Sequence, residues 1–218
     1  MNKKLTFGDF LFGLQILLAW IFTVPQVIRA FHSTAGMTMT WPMFCSAFVL
    51  VNLFLAIGAY KDSHSRKALQ VTLVYANWLV LWVSILIPMS IYGTWKSNDT
   101  VVSTLILIAV GILLVARRES SLKATISEPI TRGIVSLIVK SVPQLFIAYC
   151  IMQAGKNNGL AGTTLIIGHI TVCIRIAEIY SAAKQDGWTR KNVGLFISEA
   201  GNELTWVITT LAWIAYNS

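Results

Sequence analysis

The chain has 218 residues, 56% of them hydrophobic and 12% charged, where a soluble domain carries about 45–50% and about 25%. So little charge cannot cover a water-facing surface, which excludes an ordinary soluble domain and predicts lipid as the solvent. The net charge of +8 falls in short loops between apolar runs, a pattern that sets membrane topology and is not the footprint of nucleic-acid binding.

A bilayer crossing takes about 20 mostly apolar residues. Seven runs meet that need: 8–30, 42–60, 69–92, 101–116, 133–152, 160–182 and 193–216. The first is too long for a signal peptide and has Pro25, Gln26 and Arg29 where a small-residue cleavage site would stand. The fourth, VVSTLILIAVGILLVA, is short and featureless. The loops leave no room for a soluble domain, so the expected fold class is an all-α, multi-pass integral membrane protein. Cys45, Cys150 and Cys173 lie inside apolar runs without metal or redox spacing. His169 and Cys173 stand four apart on one helix face, but no second pair accompanies them. They read as packing residues, and no metal or other cofactor is expected.

Lysine and arginine set the orientation. Lys3, Lys4, Lys61, Arg66, Lys67, Arg117, Arg118, Lys123, Arg132, Lys184, Arg190 and Lys191 fall on one side of the seven runs; Arg29, Lys96 and Lys156 fall on the other. Twelve against three predicts a cytoplasmic N-terminus and an exoplasmic C-terminus. Short loops and a terminus without a sorting tail point to a bacterial inner membrane.

An internal repeat runs through these spans. The first ends in TVPQVIRAF and the fifth contains SVPQLFIAY, so that Pro25–Gln26 and Pro143–Gln144 stand 118 residues apart. Asn77 precedes Trp82 in the third span, and Asn202 precedes Trp206 in the seventh. Spans one to three thus correspond to spans five to seven, with the fourth as connector. The expected arrangement is 3+1+3, two parallel three-helix repeats: residues 1–95, a linker helix and loop over 96–125, and residues 126–218. Parallel repeats of this kind recur in transporters, with the substrate site near the midplane between the halves.

Five ionisable residues fall inside spans: Lys140, Arg175, Glu178, Glu199 and Glu203. Each is costly there, and each is a functional candidate for that reason. Arg175 and Glu178, three apart, can neutralise each other. Glu199, Asn202, Glu203 and Trp206 follow at i, i+3, i+4 and i+7, one stripe down a helix face. Glu203 lies deepest; unpaired there, its carboxyl would hold a proton near neutral pH and could act as a coupling group. Glu199, a turn nearer the surface, is expected to be the easier of the two to hydrate. Asn77, Trp78 and Trp82 occupy the matching depth in the third span. Paired amides with indole walls suit a small polar solute.

The two Pro-Gln motifs in matching triplets resemble the PQ-loop family, which includes the SWEET sugar carriers and the cystinosin-type lysosomal amino-acid exporters. The resemblance covers nearly the whole chain. It implies alternating access, with Pro25, Pro42 and Pro143 as hinges beside Gln26 and Gln144. Gly159 and Gly162 stand where SWEET carriers usually have a fourth proline. Eukaryotic members usually place the N-terminus away from the cytosol, opposite to the charge bias here. In SWEET carriers one asparagine on the third helix and one on the seventh grip the sugar; Asn77 and Asn202 fall at those places. Lys140 in VKSVPQ resembles the K-x-x-P-Q run of the cystinosin-type exporters, which couple amino-acid movement to protons through membrane carboxylates. Charges of both signs suit a zwitterion: Lys140 or Arg175 for a carboxylate, Glu199 or Glu203 for an ammonium or a proton. A transporter of an amino acid or similar small charged metabolite is therefore expected, with proton coupling. A sugar facilitator is the alternative, and a retrieval receptor for peptide C-termini, which shares the seven-helix architecture, is a third. No nucleophile–base pair or phosphate-binding glycine loop suggests an enzyme. The partners implied are the bilayer and a small solute, without nucleic acid; whether the chain forms a homo-oligomer is left open.

Overall fold

The computed structural model describes residues 7–156 and 158–216; Lys3 and Lys4 of the charge bias lie outside the described residues. The chain folds as α1 (Phe7–His32), α2 (Thr40–Ser63), α3 (Arg66–Tyr92), α4 (Ser97–Ala116), α5 (Leu122–Ser127), α6 (Pro129–Ala154), α7 (Gly162–Asp186) and α8 (Arg190–Ala215). No strand occurs among the described residues. Each apolar run coincides with one long helix to within a few residues, because polar groups just beyond the runs cap the ends. Ser65 accepts from Ala68 N–H at the start of α3, Thr189 from Asn192 N–H at the start of α8, and Gly155 (φ 61°) closes α6 in the left-handed conformation.

The six-residue α5 has no counterpart among the expected spans, and it straddles the boundary expected at 125. Too short to cross anything, it delivers the chain to Glu128, the cap of α6. Burial alone would raise the Glu128 carboxyl. Donation from the Thr131 N–H and hydroxyl and from Arg190 outweighs that and brings it down to about 2.

Helices α1, α2, α3, α4, α6 and α7 are long and apolar enough to cross a membrane. α8 is as long, but Glu199, Asn202, Glu203 and the threonines at 205, 209 and 210 interrupt its apolar sequence. The outer surface is apolar to match: Leu107, Ile112 and Val115 of α4 and Leu204 and Leu211 of α8 are all more than 60% exposed. In water such a surface would drive aggregation; in lipid it carries no penalty.

Hydrogen bonds and ion pairs sort the loops to two ends. At one end Arg66 and Gln70 hold Asp9 at 2.7 and 2.8 Å, and Arg190 holds Glu128 at 2.7 Å. The start of α1 and the α2–α3, α5–α6 and α7–α8 connections therefore gather there. At the other end Gln26 reaches the α6–α7 loop, while Asp99 at the start of α4 accepts from Thr38 (2.5 Å) before α2. The packing order within each group of three is the same. α3 packs against both α1 and α2, and α8 packs against both α6 and α7; between the groups, α1 meets α7 and α2 meets α6. α4 lies outside, against α6. α6 and α8 approach closely, where Gly133 faces the Gly194 backbone and Gly194 faces Pro129; a Cβ at either glycine would overlap main-chain atoms.

Candidate functional site

α8 supplies the polar stripe, and its neighbours answer it residue by residue. Near its start Ser198 meets Ser136 of α6 at 2.7 Å. The next residue, Glu199, is 6% exposed. Its Oε1 takes Lys140 Nζ of α6 at 3.0 Å and Arg175 Nη1 of α7 at 3.5 Å. Two cations from two other helices thus contact a single carboxylate where a lone charge is expensive, and Glu178 interacts with Arg175 from farther off. Glu199 Oε2 is buried without a hydrogen-bond partner, so the cluster retains unused acceptor capacity.

One turn along, Glu203 Oε1 lies 2.5 Å from His169 Nδ1 of α7, and His169 Nε2 lies 2.9 Å from the Thr210 hydroxyl. Both ring nitrogens of His169 are therefore engaged. With neutral imidazole, Nδ1–H donates to the carboxylate and Nε2 accepts from Thr210, an arrangement that fixes the tautomer. Glu203 Oε2 is also buried and unpartnered.

Three expectations about these charges need correction. Arg175 makes no contact ion pair with Glu178: it turns to Glu199 while still interacting with Glu178 at longer range, and Glu178 accepts from Gln15 of α1 at 3.5 Å. Glu203 is not an isolated carboxyl, because His169 meets it. Glu199 is the more deeply buried of the two glutamates, with 8% of its side chain exposed against 22% for Glu203. Depth along one helix decided the expectation; the cover provided by α6 and α7 decides the fact.

The aromatic wall comes mainly from α1, α2 and α3. Phe22 stands at 5.8, 5.9 and 6.0 Å, ring centre to ring centre, from Trp78, Trp82 and Trp206, each edge to face. Trp41, 1% exposed, lies 5.0 Å from Trp82 and 6.1 Å from Trp206. The predicted Trp78, Trp82 and Trp206 thus meet on one phenylalanine, and the indole of Trp206 lies 6.4 Å from the His169 ring, which joins wall to charges. Asn202 is buried on the same face of α8. Asn77 accepts from Trp20 Nε1 at 3.0 Å, while its Nδ2 is buried without a partner.

The Pro-Gln residues fall at helix contacts. Gln26, fully buried, donates to Gly159 O at 2.8 Å and accepts from Ala161 N–H at 3.0 Å, binding the N-terminal end of α7 to α1. Gln144 accepts from Thr205 of α8 at 2.9 Å. Pro25 and Pro143 lie inside α1 and α6, where each removes a helix bond. Pro42 is the third residue of α2. First-turn N–H groups have no intrahelical acceptor, so Pro42 removes no bond and leaves no interior pivot. Pro88, buried inside α3, has the interior placement that Pro42 lacks, and it is not followed by glutamine.

Phe22 and Trp41 were not legible as site residues; His169, which reads in sequence as a packing residue, is a candidate by position alone, as an ionisable side chain inside a span. The first two are ordinary apolar residues in sequence, and the role of His169 follows from its contact with Glu203. Compared with models of known families, with curated proteins and with solved structures, the chain matches none.

Proposed function

We propose that the protein is a multi-pass membrane transporter that moves an amino acid or similar small charged metabolite by alternating access, coupled to protons. The observation that carries this reading is the Glu199 carboxylate of α8 shared by Lys140 of α6 and Arg175 of α7. Two cations contact one carboxylate, with Glu178 interacting with Arg175 from farther off, and a solute carboxylate would complete the balance. Such a solute competes with Glu199 for Lys140 or Arg175, so binding loosens a contact that joins α6, α7 and α8. The indole wall of Trp78, Trp82 and Trp206 offers contact area for the rest of the solute. Glu203 and His169 form the group through which a proton would enter and leave.

The recurrent packing order, α3 between α1 and α2 and α8 between α6 and α7, supports a 3+1+3 arrangement of seven spans with α4 as connector. We take the lysine and arginine bias to set a cytoplasmic N-terminus in a bacterial inner membrane. Pro25 and Pro143 serve as the pivots.

Uptake of labelled amino acids and sugars into proteoliposomes, with and without an imposed pH gradient, tests the reading. Amino-acid uptake should respond to the gradient, and Lys140→Met should abolish it. Glu203→Gln should still exchange labelled for unlabelled solute but fail to accumulate it, because the group can no longer change charge. A second reading, a sugar facilitator, draws on the unpartnered Asn77 Nδ2 and the buried Asn202. It predicts sugar equilibration that ignores pH and survives Lys140→Met.

A further inference from the structure

Away from the charged centre, Arg132 stands in the first turn of α6, half-buried. Its guanidinium donates to the amide oxygen of Asn52 on α2 and to the Tyr75 hydroxyl on α3 at 3.2 Å. Both partners are neutral. Among the described residues no carboxylate forms an ion pair with it. Glu128, one turn back, is already engaged by Arg190 and Thr131.

Arg132 and Asn52 also stand in the wall of an apolar groove of about 190 Å³ between α2, α4 and α6. Its apolar walls include Phe48 and Leu55 of α2, Val110 and Leu114 of α4, and Val135 and Val139 of α6, with Ile126 of α5. From Arg132 to Val139 it runs about 10 Å along α6, at 1.5 Å per residue. Val51 at its edge is 42% exposed, so the groove opens sideways on the outer surface. Exposed Arg117, Arg118 and Lys123, against the single acid Glu119, follow on the connection from α4 at the same end.

We infer that this groove holds an acyl chain of an anionic phospholipid, with the lipid phosphate on Arg132. Apolar walls hold methylene groups better than water, which needs several polar partners. The space is too narrow for a partner helix, about 10 Å across with its side chains. A guanidinium held by neutral groups keeps its charge and has donors left for a phosphate, which it binds in two-pronged fashion. Basic pockets between spanning helices are favourable places for anionic headgroups. The proposal does not depend on the transport reading.

The test uses the full chain, delipidated in detergent, and measures retained lipid by native mass spectrometry beside thermal unfolding. The probes are phosphatidylglycerol, phosphatidylcholine, and inorganic phosphate alone. The parent should prefer phosphatidylglycerol to phosphatidylcholine by about tenfold or more, and phosphate alone should leave unfolding unchanged. Arg132→Gln should erase the headgroup preference, and Arg132→Lys, which keeps the charge without the two-pronged geometry, should keep part of it. Val135→Trp, which fills the groove and leaves Arg132 in place, should reduce binding of both lipids. Equal retention of the two lipids by the parent would overturn the proposal without any variant. So would phosphate stabilising as well as phosphatidylglycerol, or Val135→Trp binding lipid as the parent does.

Discussion

Around the centre of the molecule, α1, α2 and α3 contribute Phe22, Trp41, Trp78 and Trp82, while α6, α7 and α8 contribute Lys140, His169, Arg175, Glu199 and Glu203. Trp206 is the ring where the two sets touch. The helices of the two groups pack in the same order, yet one side of the centre is an aromatic wall and the other a network of charges. Even the matching glutamines differ. Gln26 ties α1 to the start of α7, whereas Gln144 bonds to α8 within its own group. A recurring backbone arrangement therefore fixes where side chains stand without fixing what they do. The charge is concentrated on the side that holds the close α6–α8 contact at Gly133 and Gly194.

The sharpest way to break this comparison is to remove the carboxylate that holds the charged side together. Glu199→Gln removes the one carboxylate that Lys140 and Arg175 both contact, at a cost of about 3 kcal/mol. Thermal unfolding in detergent should show the loss, and Lys140→Met added to Glu199→Gln should recover part of it. An unchanged melting temperature would mean that the two cations find other partners. Next in size is close helix packing. Gly194→Val forces the α8 backbone away from Pro129, and overpacking of this kind costs about 1–3 kcal/mol. Gly13 on α1 has open space at its Cβ position; Gly13→Ala should be neutral or stabilise by about 0.5–1 kcal/mol through helix propensity. Equal effects at the two glycines would erase the contrast in packing.

The glutamines give a finer test. Gln26→Ala strands a buried carbonyl and an N–H, costing about 1–3 kcal/mol. Gln144→Ala should cost less, because the Thr205 hydroxyl can still donate to Asn202 O at 2.9 Å. Unfolding of the two variants side by side decides the ranking. The smallest effect lies outside the spans. The Glu128 carboxyl is held near 2, below its ordinary value of 4.5. The stability it lends through Arg190 and the α6 cap is fully present above about pH 4.5 and is lost as pH falls toward 2. Because Arg190 is exposed, the contribution is modest. The gap in melting temperature between the parent and Glu128→Gln should close over that interval, and a gap that persists at pH 2 would show that the carboxylate charge is not its source.

Much of the frame was legible in the chain, because helix formation in an apolar solvent is decided locally. Once the backbone must satisfy its own hydrogen bonds, a run of about 20 apolar residues has little choice but helix. That is why all seven runs appear as helices, α8 included, although its polar stripe leaves it less apolar than its neighbours. The stripe of Glu199, Asn202, Glu203 and Trp206 was equally legible, since spacing along one helix fixes which residues share a face. Partnership was not. Arg175 reaches Glu199 across to α8 while Glu178, its neighbour in sequence, goes to Gln15 of α1. His169 finds Glu203 thirty-four residues away, and Arg132 finds Asn52 and Tyr75 on two other helices. The sequence by itself determined the helices and their polar faces, because both follow from chemistry within a few turns. The pairing of those faces depended on how the helices cross and rotate against one another, which only the packed tertiary structure decided.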